Sequence, residues 1–194
     1  MSFCRVGCLL GGMCELSTSA ADEALAVCAR NGCRDCFARL YERYRMALAR
    51  YLHESFVYDF DTALDLEAEA WKRAFQHIAS YAGERPFKSW LLAITRNLAL
   101  NHVRHVRRAP SPETLVRVFD PGTDSPERRE SIEACVRLVR ALPVELREPF
   151  VLRAVFDLDV REVARVLGIG ATTARGRLFR ARKALAEAVR ETRP

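Results

Sequence analysis

The sequence predicts an all-α protein of two small helical domains joined by a flexible Pro-rich linker, the C-terminal one a helix-turn-helix. Three observations carry this. From Asp22 to Arg108 the apolar residues recur at helical spacing, and no stretch alternates with the period of two that a strand requires. Pro110, Pro112, Pro121 and Pro126, four of the eight prolines, gather between Arg107 and Glu127 with Ser111, Gly122 and Ser125, a linker composition. Behind them, two short apolar-periodic segments flank a tight glycine-containing turn. With 194 residues, 49% of them hydrophobic, the chain is long enough to bury a core. The division is an N-terminal Cys-containing extension over 1–21, a helical domain over 22–108, a linker over 109–126 and a helix-turn-helix domain over 127–194.

The elements follow in order. A short helix opens near Asp22, and a long one follows it, because Phe37, Leu40, Tyr41, Tyr44, Leu48 and Tyr51 draw a single stripe. Another stripe runs through Leu64, Ala68, Trp71, Phe75 and Ile78. A third begins after Gly83-Glu84-Arg85-Pro86, uses Phe87, Trp90, Leu91, Ile94 and Leu98, and dissolves into a basic tail from His102 to Arg108. Helices this long must pack against each other. Beyond the linker, Ile132, Cys135, Val136, Val139 and Leu142 mark a helix. Pro143 suits the first turn of the next, which runs to about Phe156. Pro149 inside it predicts a kink or a later start. Asp159 with Glu162 fits a capping box, Val163, Val166 and Leu167 supply a buried face, and Gly168 fits a C-terminal cap. The last helix starts near Thr172, with Ala174, Leu178, Ala181, Leu185 and Ala188 inward.

Lys plus Arg number 31 against 25 Asp plus Glu, a net charge of +6 that favours a polyanionic partner. Residues 1–93 carry 11 basic and 12 acidic side chains, so the whole excess lies behind residue 93. No apolar run approaches the roughly 18 to 20 residues needed to span a bilayer. The mildly apolar N-terminus behind Arg5 is short and lacks an A-x-A-like cleavage site, so a cytoplasmic location is expected. No nucleophile, glycine-rich phosphate loop or histidine partner accompanies the acidic run Asp59, Asp61, Asp65, Glu67 and Glu69, which argues against an enzyme. That run reads as a solvated face or a contact with a basic protein.

Two basic elements point to nucleic acid. The last helix carries Arg175, Arg177, Arg180, Arg182 and Lys183 without an acidic residue from Thr172 to Lys183. A helix presented by such a turn fits the major groove. Thr172, Thr173, Arg175 and Gly176 are then candidates for base edges, and Arg177, Arg180, Arg182 and Lys183 for phosphates. The plainer alternative is a solvated or protein-binding basic face. The helix that starts at Phe87 carries Arg96, Asn97, Asn101, His102, Arg104 and His105 behind an aromatic start, a mixture suited to melted DNA. Trp90 on its inner stripe reads first as a core anchor.

Six of the seven cysteines fall within the first 36 residues, an uneven spread for a disulfide scaffold. Cys28, Cys33 and Cys36 sit at the join of the first two helices. They are candidate ligands for zinc, with Cys14 as a fourth, or redox-active thiols, against the alternative of three small packing side chains. No cofactor is required by the remaining residues.

At this point the residues carry a resemblance. Asp35 to Tyr44, Asp65-Leu66 through Trp71-Lys72-Arg73-Ala74, Gly83-Glu84 with Phe87-Lys88-Ser89-Trp90-Leu91, and Arg96-Asn97-Leu98-Ala99 resemble the promoter-melting domain of extracytoplasmic-function sigma factors of the sigma-70 superfamily. Leu142-Pro143, Arg147, Val163-Ala164, Leu167-Gly168-Ile169 and Thr173 through Arg177-Leu178-Phe179-Arg180-Ala181-Arg182 resemble the C-terminal domain of the same family. Ala68 stands where the family usually has glutamine, and Gly176 where it usually has serine. The resemblance implies a non-catalytic, dissociable subunit of bacterial RNA polymerase. It would contact the beta-prime clamp through Asp65, Leu66, Glu69 and Trp71, and the beta flap as well. Lys88, Trp90, Arg96, Asn97, Asn101, His102 and Arg104 would then meet the melted promoter element, and Phe179 would join the last helix on the upstream element. An anti-sigma factor is a further partner it admits. The competing reading is a one-component helix-turn-helix regulator that binds duplex operator DNA alone.

Overall fold

The computed structural model describes residues 20–57, 59–106 and 126–191, with the side chains of 126–131 and 191 left aside. Cys4, Cys8, Cys14, Arg107, Arg108 and nearly all of the expected linker lie outside the described residues. Among the described residues there are eight α-helices and no strand: α1 (Asp22–Arg30), α2 (Arg34–Ser55), α3 (Phe60–His77), α4 (Phe87–Val106), α5 (Pro126–Ala141), α6 (Val144–Phe156), α7 (Val160–Leu167) and α8 (Ala171–Glu191). A 3₁₀ turn, Ile78–Ser80, follows α3.

Local chemistry sets several of these ends. Asp59 caps α3 by accepting from the Thr62 amide at 2.8 Å. Asp159 accepts from the Glu162 amide at 2.7 Å while Glu162 accepts from the Asp159 amide at 2.8 Å, the reciprocal capping box expected for α7. Gly168 ends α7 at φ +67°, a left-handed conformation that suits a residue without a Cβ. Pro149 does not break α6, which runs uninterrupted past it. The residue is buried, and packing on both sides of α6 holds the helix where a backbone hydrogen bond is forfeited.

In the first block α2 is the central rod, burying Leu40, Tyr44, Leu48, Tyr51 and Leu52. α1, α3 and α4 pack around it. Asp22 ties α1 down by accepting from Arg43 and from the Tyr44 hydroxyl, and burial together with that carboxylate raises the Tyr44 pKa. The inner face of α3 differs from the expected one. Leu64 and Phe75 are 37% and 54% exposed, whereas Ala63, Leu66, Glu67, Ala70, Trp71 and Ala74 are buried. Trp71 and Ile78 of the expected stripe are in the core, but Leu64 and Phe75 lie at its outer margin, because the facing side is centred on Ala63, Leu66, Ala70 and Ala74, where small residues let the helices approach.

In the second block α7 and α8 form the expected helix-turn-helix. Val163, Val166, Leu167, Ala174, Leu178 and Ala181 close its core, and Leu185 and Ala188 stay half-exposed. The two blocks also pack on each other, α6 lying along α2 and α7 against α4. Phe156 sits between the rings of Tyr44 and Tyr51, at centroid distances of 6.5 and 6.0 Å. The described residues therefore share one core across the two blocks.

Candidate nucleic-acid interface

On α8, Ala174, Leu178 and Ala181 face inward, which turns Thr172, Thr173, Arg175, Phe179, Arg180, Arg182 and Lys183 outward. Gly176 and Arg177 are half-buried at the margin of that face. Phe179 is 67% exposed, next in the chain to Arg180 on the same outward face. Arg180 reaches back to the Gly176 carbonyl at 3.4 Å, whereas Lys183 lies 3.9 Å from Glu187, one turn further along the helix. The helix entering after a tight turn presents its N-terminal turns to a groove and its flanking cations to phosphates.

α4 separates the sequence candidates onto two faces. Trp90, Asn97, Asn101 and Arg104 follow one helical row, with Asn97, Asn101 and Arg104 exposed and Arg104 donating to Asn101 Oδ1 at 3.1 Å. Trp90 is half-buried, its ring 5.5 Å from Tyr81 and 5.6 Å from Phe87. His102 is half-buried to one side. Lys88 and Arg96 instead face the second block. Lys88 Nζ donates to the Phe156 carbonyl at 3.0 Å. Arg96 grips Glu148 through Nε at 2.7 Å and Nη2 at 3.4 Å.

That grip belongs to a buried polar seam between the blocks. Tyr51 donates its hydroxyl to Glu148 Oε1 at 2.9 Å, and its pKa is raised by burial and by the Glu148 charge. Arg140 donates to Glu54 Oε2 at 3.1 Å and lies against the His53 ring, and Arg147 donates to the carbonyls of Arg140 and Ser55. Burial alone would raise Glu54, but the His53 hydrogen bond and the Arg140 charge outweigh it and hold the carboxyl below its usual range. Sequence reasoning missed Glu148, Glu54 and Arg140, because single charged residues on helical stripes give no periodic signal.

The acidic run on α3 is divided. Asp65 is exposed, and Glu69 bonds to Arg73 at 2.9 Å, which lowers its pKa. Leu66 and Trp71 are 7% and 4% exposed, so they sit in the core, with Trp71 edge-on to Phe37 and Tyr41. The large exposed apolar groups of this helix are Leu64 and Phe75. Glu67 is buried. Desolvation raises its pKa to about 7, against smaller lowering contributions from Arg45 and Trp71. A carboxyl raised on folding contributes full stability below its ordinary value near 4.5 and loses it as pH rises through about 7. Glu67→Gln is therefore expected to stabilise the protein by about 2 kcal/mol at pH 8 and by little at pH 4.5. Thermal melts followed by circular dichroism check this, with a gain of about 5 °C expected at the higher pH only.

At the α1–α2 join, Cys28, Cys33 and Cys36 are all buried, and their sulfurs lie within 4.8 Å of one another. Three such thiols could bind a metal ion. No helix among the described residues is long and apolar enough to cross a membrane.

An exposed basic recognition helix behind a capped turn, joined to a helical block with an Asn- and Arg-bearing helix, defines a two-domain helix-turn-helix DNA-binding protein. Family comparison narrows the class: residues 40–109 match Sigma-70 region 2 and residues 132–185 match Sigma-70, region 4. The RNA polymerase sigma-H factor of Pseudomonas aeruginosa is 31% identical over 185 residues, covering 89% of this chain and 95% of that protein. The ECF RNA polymerase sigma-E factor of Escherichia coli is 29% identical over 183 residues, covering 88% and 95%. Among solved structures, CnrH in complex with the cytosolic domain of CnrY superposes with a TM-score of 0.69 at 25% identity, covering 90% of this chain and 100% of that one. The sigma factor RpoE of Bartonella quintana, in complex with the anti-sigma factor NepR, gives 0.69 at 20% identity, covering 81% and 98%, a likeness of fold. The chain belongs to the sigma-70 family of RNA polymerase sigma factors, in its extracytoplasmic-function group.

Proposed function

We propose that this sigma factor works in the cytoplasm, as a non-catalytic subunit, by joining bacterial core RNA polymerase and placing two separate surfaces on one promoter. The helix α8 reads the upstream element as duplex, with Thr172, Thr173, Arg175 and Gly176 at base edges and Arg177, Phe179, Arg180, Arg182 and Lys183 along the backbone. The outward row of α4, Trp90, Asn97, Asn101 and Arg104, with His102 beside it, takes the unstacked bases of the melted element. Asp65 and Glu69 meet the beta-prime clamp from the surface of α3, Leu66 and Trp71 hold that helix in place from beneath, and the second block meets the beta flap.

The single observation that carries this reading is the contrast between the two DNA-facing elements. The α8 face is open, whereas Lys88 and Arg96 on α4 are engaged by the second block. A protein that binds duplex alone has no use for a covered second nucleic-acid helix. A subunit that opens on its polymerase does, and an anti-sigma factor that holds the closed arrangement is a natural partner. The thiols at the α1–α2 join give the protein a place for zinc or for thiol redox chemistry.

The deciding experiment is run-off transcription with bacterial core polymerase, with and without this protein, on promoter fragments that include its own upstream region. New starts that require both components support the proposal. A salt-sensitive footprint by the protein alone, with no starts and no polymerase binding, would favour a one-component regulator.

A further inference from the structure

The three buried thiols lie outside every surface used for promoter or polymerase contact. Cys28 is in the last turn of α1, Cys33 is the residue capping α2, and Cys36 is in the first turn of α2. The chain between them turns through Asn31 and Gly32, and Gly32 takes φ +95°, which a side chain would strain. The Cys33 amide donates to the Cys28 carbonyl at 3.3 Å, closing the turn. This brings together sulfurs from two helices and the loop between them.

We propose that Cys28, Cys33 and Cys36 form a trithiolate site for a thiophilic d10 cation, of which Zn2+ is the type case. A tetrahedral ion with metal–sulfur bonds of about 2.3 Å needs its sulfurs roughly 3.8 Å apart. The sulfurs already lie within 4.8 Å of one another, about 1 Å beyond that spacing. Three thiolates on a divalent ion leave one negative charge, which the N-terminus of the 22-residue α2 stabilises. A metal is favoured over a simple disulfide because three sulfurs converge and a thiophilic ion uses all three, whereas a disulfide uses two.

An ion there would join α1 to α2. Two residues beyond Cys28, Arg30 donates to the Tyr81 carbonyl at 3.0 Å, and Tyr81 packs on Phe87 and Trp90 at the head of α4. Metal occupancy thus stiffens the platform under the proposed melted-strand face, a consequence that rests on the sigma-factor reading, whereas the binding step does not.

The test uses the full chain, reduced and handled without oxygen. Zn2+ is titrated against a chromophoric chelator, and Co2+ is used as a spectroscopic probe. One equivalent bound at submicromolar Kd, a thiolate-to-Co2+ charge-transfer band and a rise in Tm of several degrees are expected. Each should be lost in Cys28→Ser, Cys33→Ser and Cys36→Ser and kept in Cys135→Ser and in a Cys4/Cys8/Cys14→Ser triple variant. Binding unchanged in the first three variants, or lost in the triple, overturns the site, as does a Co2+ spectrum without sulfur charge transfer. If a serine variant loses helicity, the corresponding alanine variant decides: an apolar side chain of similar size suits the buried position, and loss of the Co2+ charge-transfer band with helicity kept supports ligation, whereas a band of unchanged intensity overturns the site. Parallel run-off assays separate the two readings. Metal binding without polymerase-dependent starts would sink the sigma-factor role and leave the site, and starts without metal binding would do the reverse.

Discussion

Glu148→Ala is expected to open the molecule. Glu148 is 5% exposed, accepts from Tyr51 on α2 and from Arg96 on α4, and belongs to α6 in the other block. Its removal leaves the Arg96 guanidinium half-sequestered without its anion and the Tyr51 hydroxyl without its acceptor. Breaking a buried pair from one side costs about 3–5 kcal/mol. The loss falls on the seam between blocks, where Glu148 is the shared acceptor of Tyr51 and Arg96. A compact chain of this length has a radius of gyration of about 16 Å. Small-angle scattering should show the variant larger by several Å, with unchanged helicity, while the exposed neighbour substitution Glu145→Ala leaves the radius as it is. Freed Lys88 and Arg96 should then raise affinity for single-stranded promoter oligonucleotides by about tenfold, as expected when the competent state is a minor population. An unchanged radius with unchanged affinity would show that the seam does not hold the blocks together.

The second large effect is expected on α8. Arg175, the fifth residue of the helix, is exposed on the open face, and on the proposed reading its guanidinium meets a guanine edge in bidentate fashion. Arg175→Ala should weaken specific upstream-element binding by about 1–3 kcal/mol and relax preference at one base position. Arg182→Ala, further along the helix, should weaken binding to all sequences alike and reduce the salt slope by about 1. Fluorescence anisotropy on single-base promoter variants at several salt concentrations separates the two. If both substitutions lower affinity equally for every sequence, α8 holds backbone only and base readout lies elsewhere.

The polar character of the seam bears on how these surfaces are used. Interfaces that must part are commonly more polar than cores, because their groups can be solvated or re-paired when exposed. Here His53, Glu54, Arg140, Arg147 and Glu148 are all buried, yet each finds a partner across or along the seam. A core built only of leucines at this place would lock the two DNA-facing helices in one arrangement.

Much of the candidate site was legible before any coordinates. The α8 face is named by charge and by its capped turn, and the α4 row by Asn and Arg at helical spacing after an aromatic start. The α3 surface was less legible. Its apolar stripe points outward at Leu64 and Phe75, since periodicity locates a stripe and leaves open which side a neighbouring helix takes. The seven α4 candidates divide by geometry: Trp90, Asn97, Asn101 and Arg104 share one helical row, and Lys88 and Arg96 lie on the other side, against the second block.

What the amino-acid sequence by itself determined is the set of helices, the capping box at Asp159 and Glu162, the glycine stop at Gly168 and the basic helix beyond it. These are decided by contacts within about four residues, so spacing alone encodes them. The tertiary structure decided which face of α3 is inside and that three cysteines converge on one point. It also decided that Glu148 meets Tyr51 and Arg96, residues 97 and 52 positions away. Such pairings depend on how whole helices pack, and no local period carries that information.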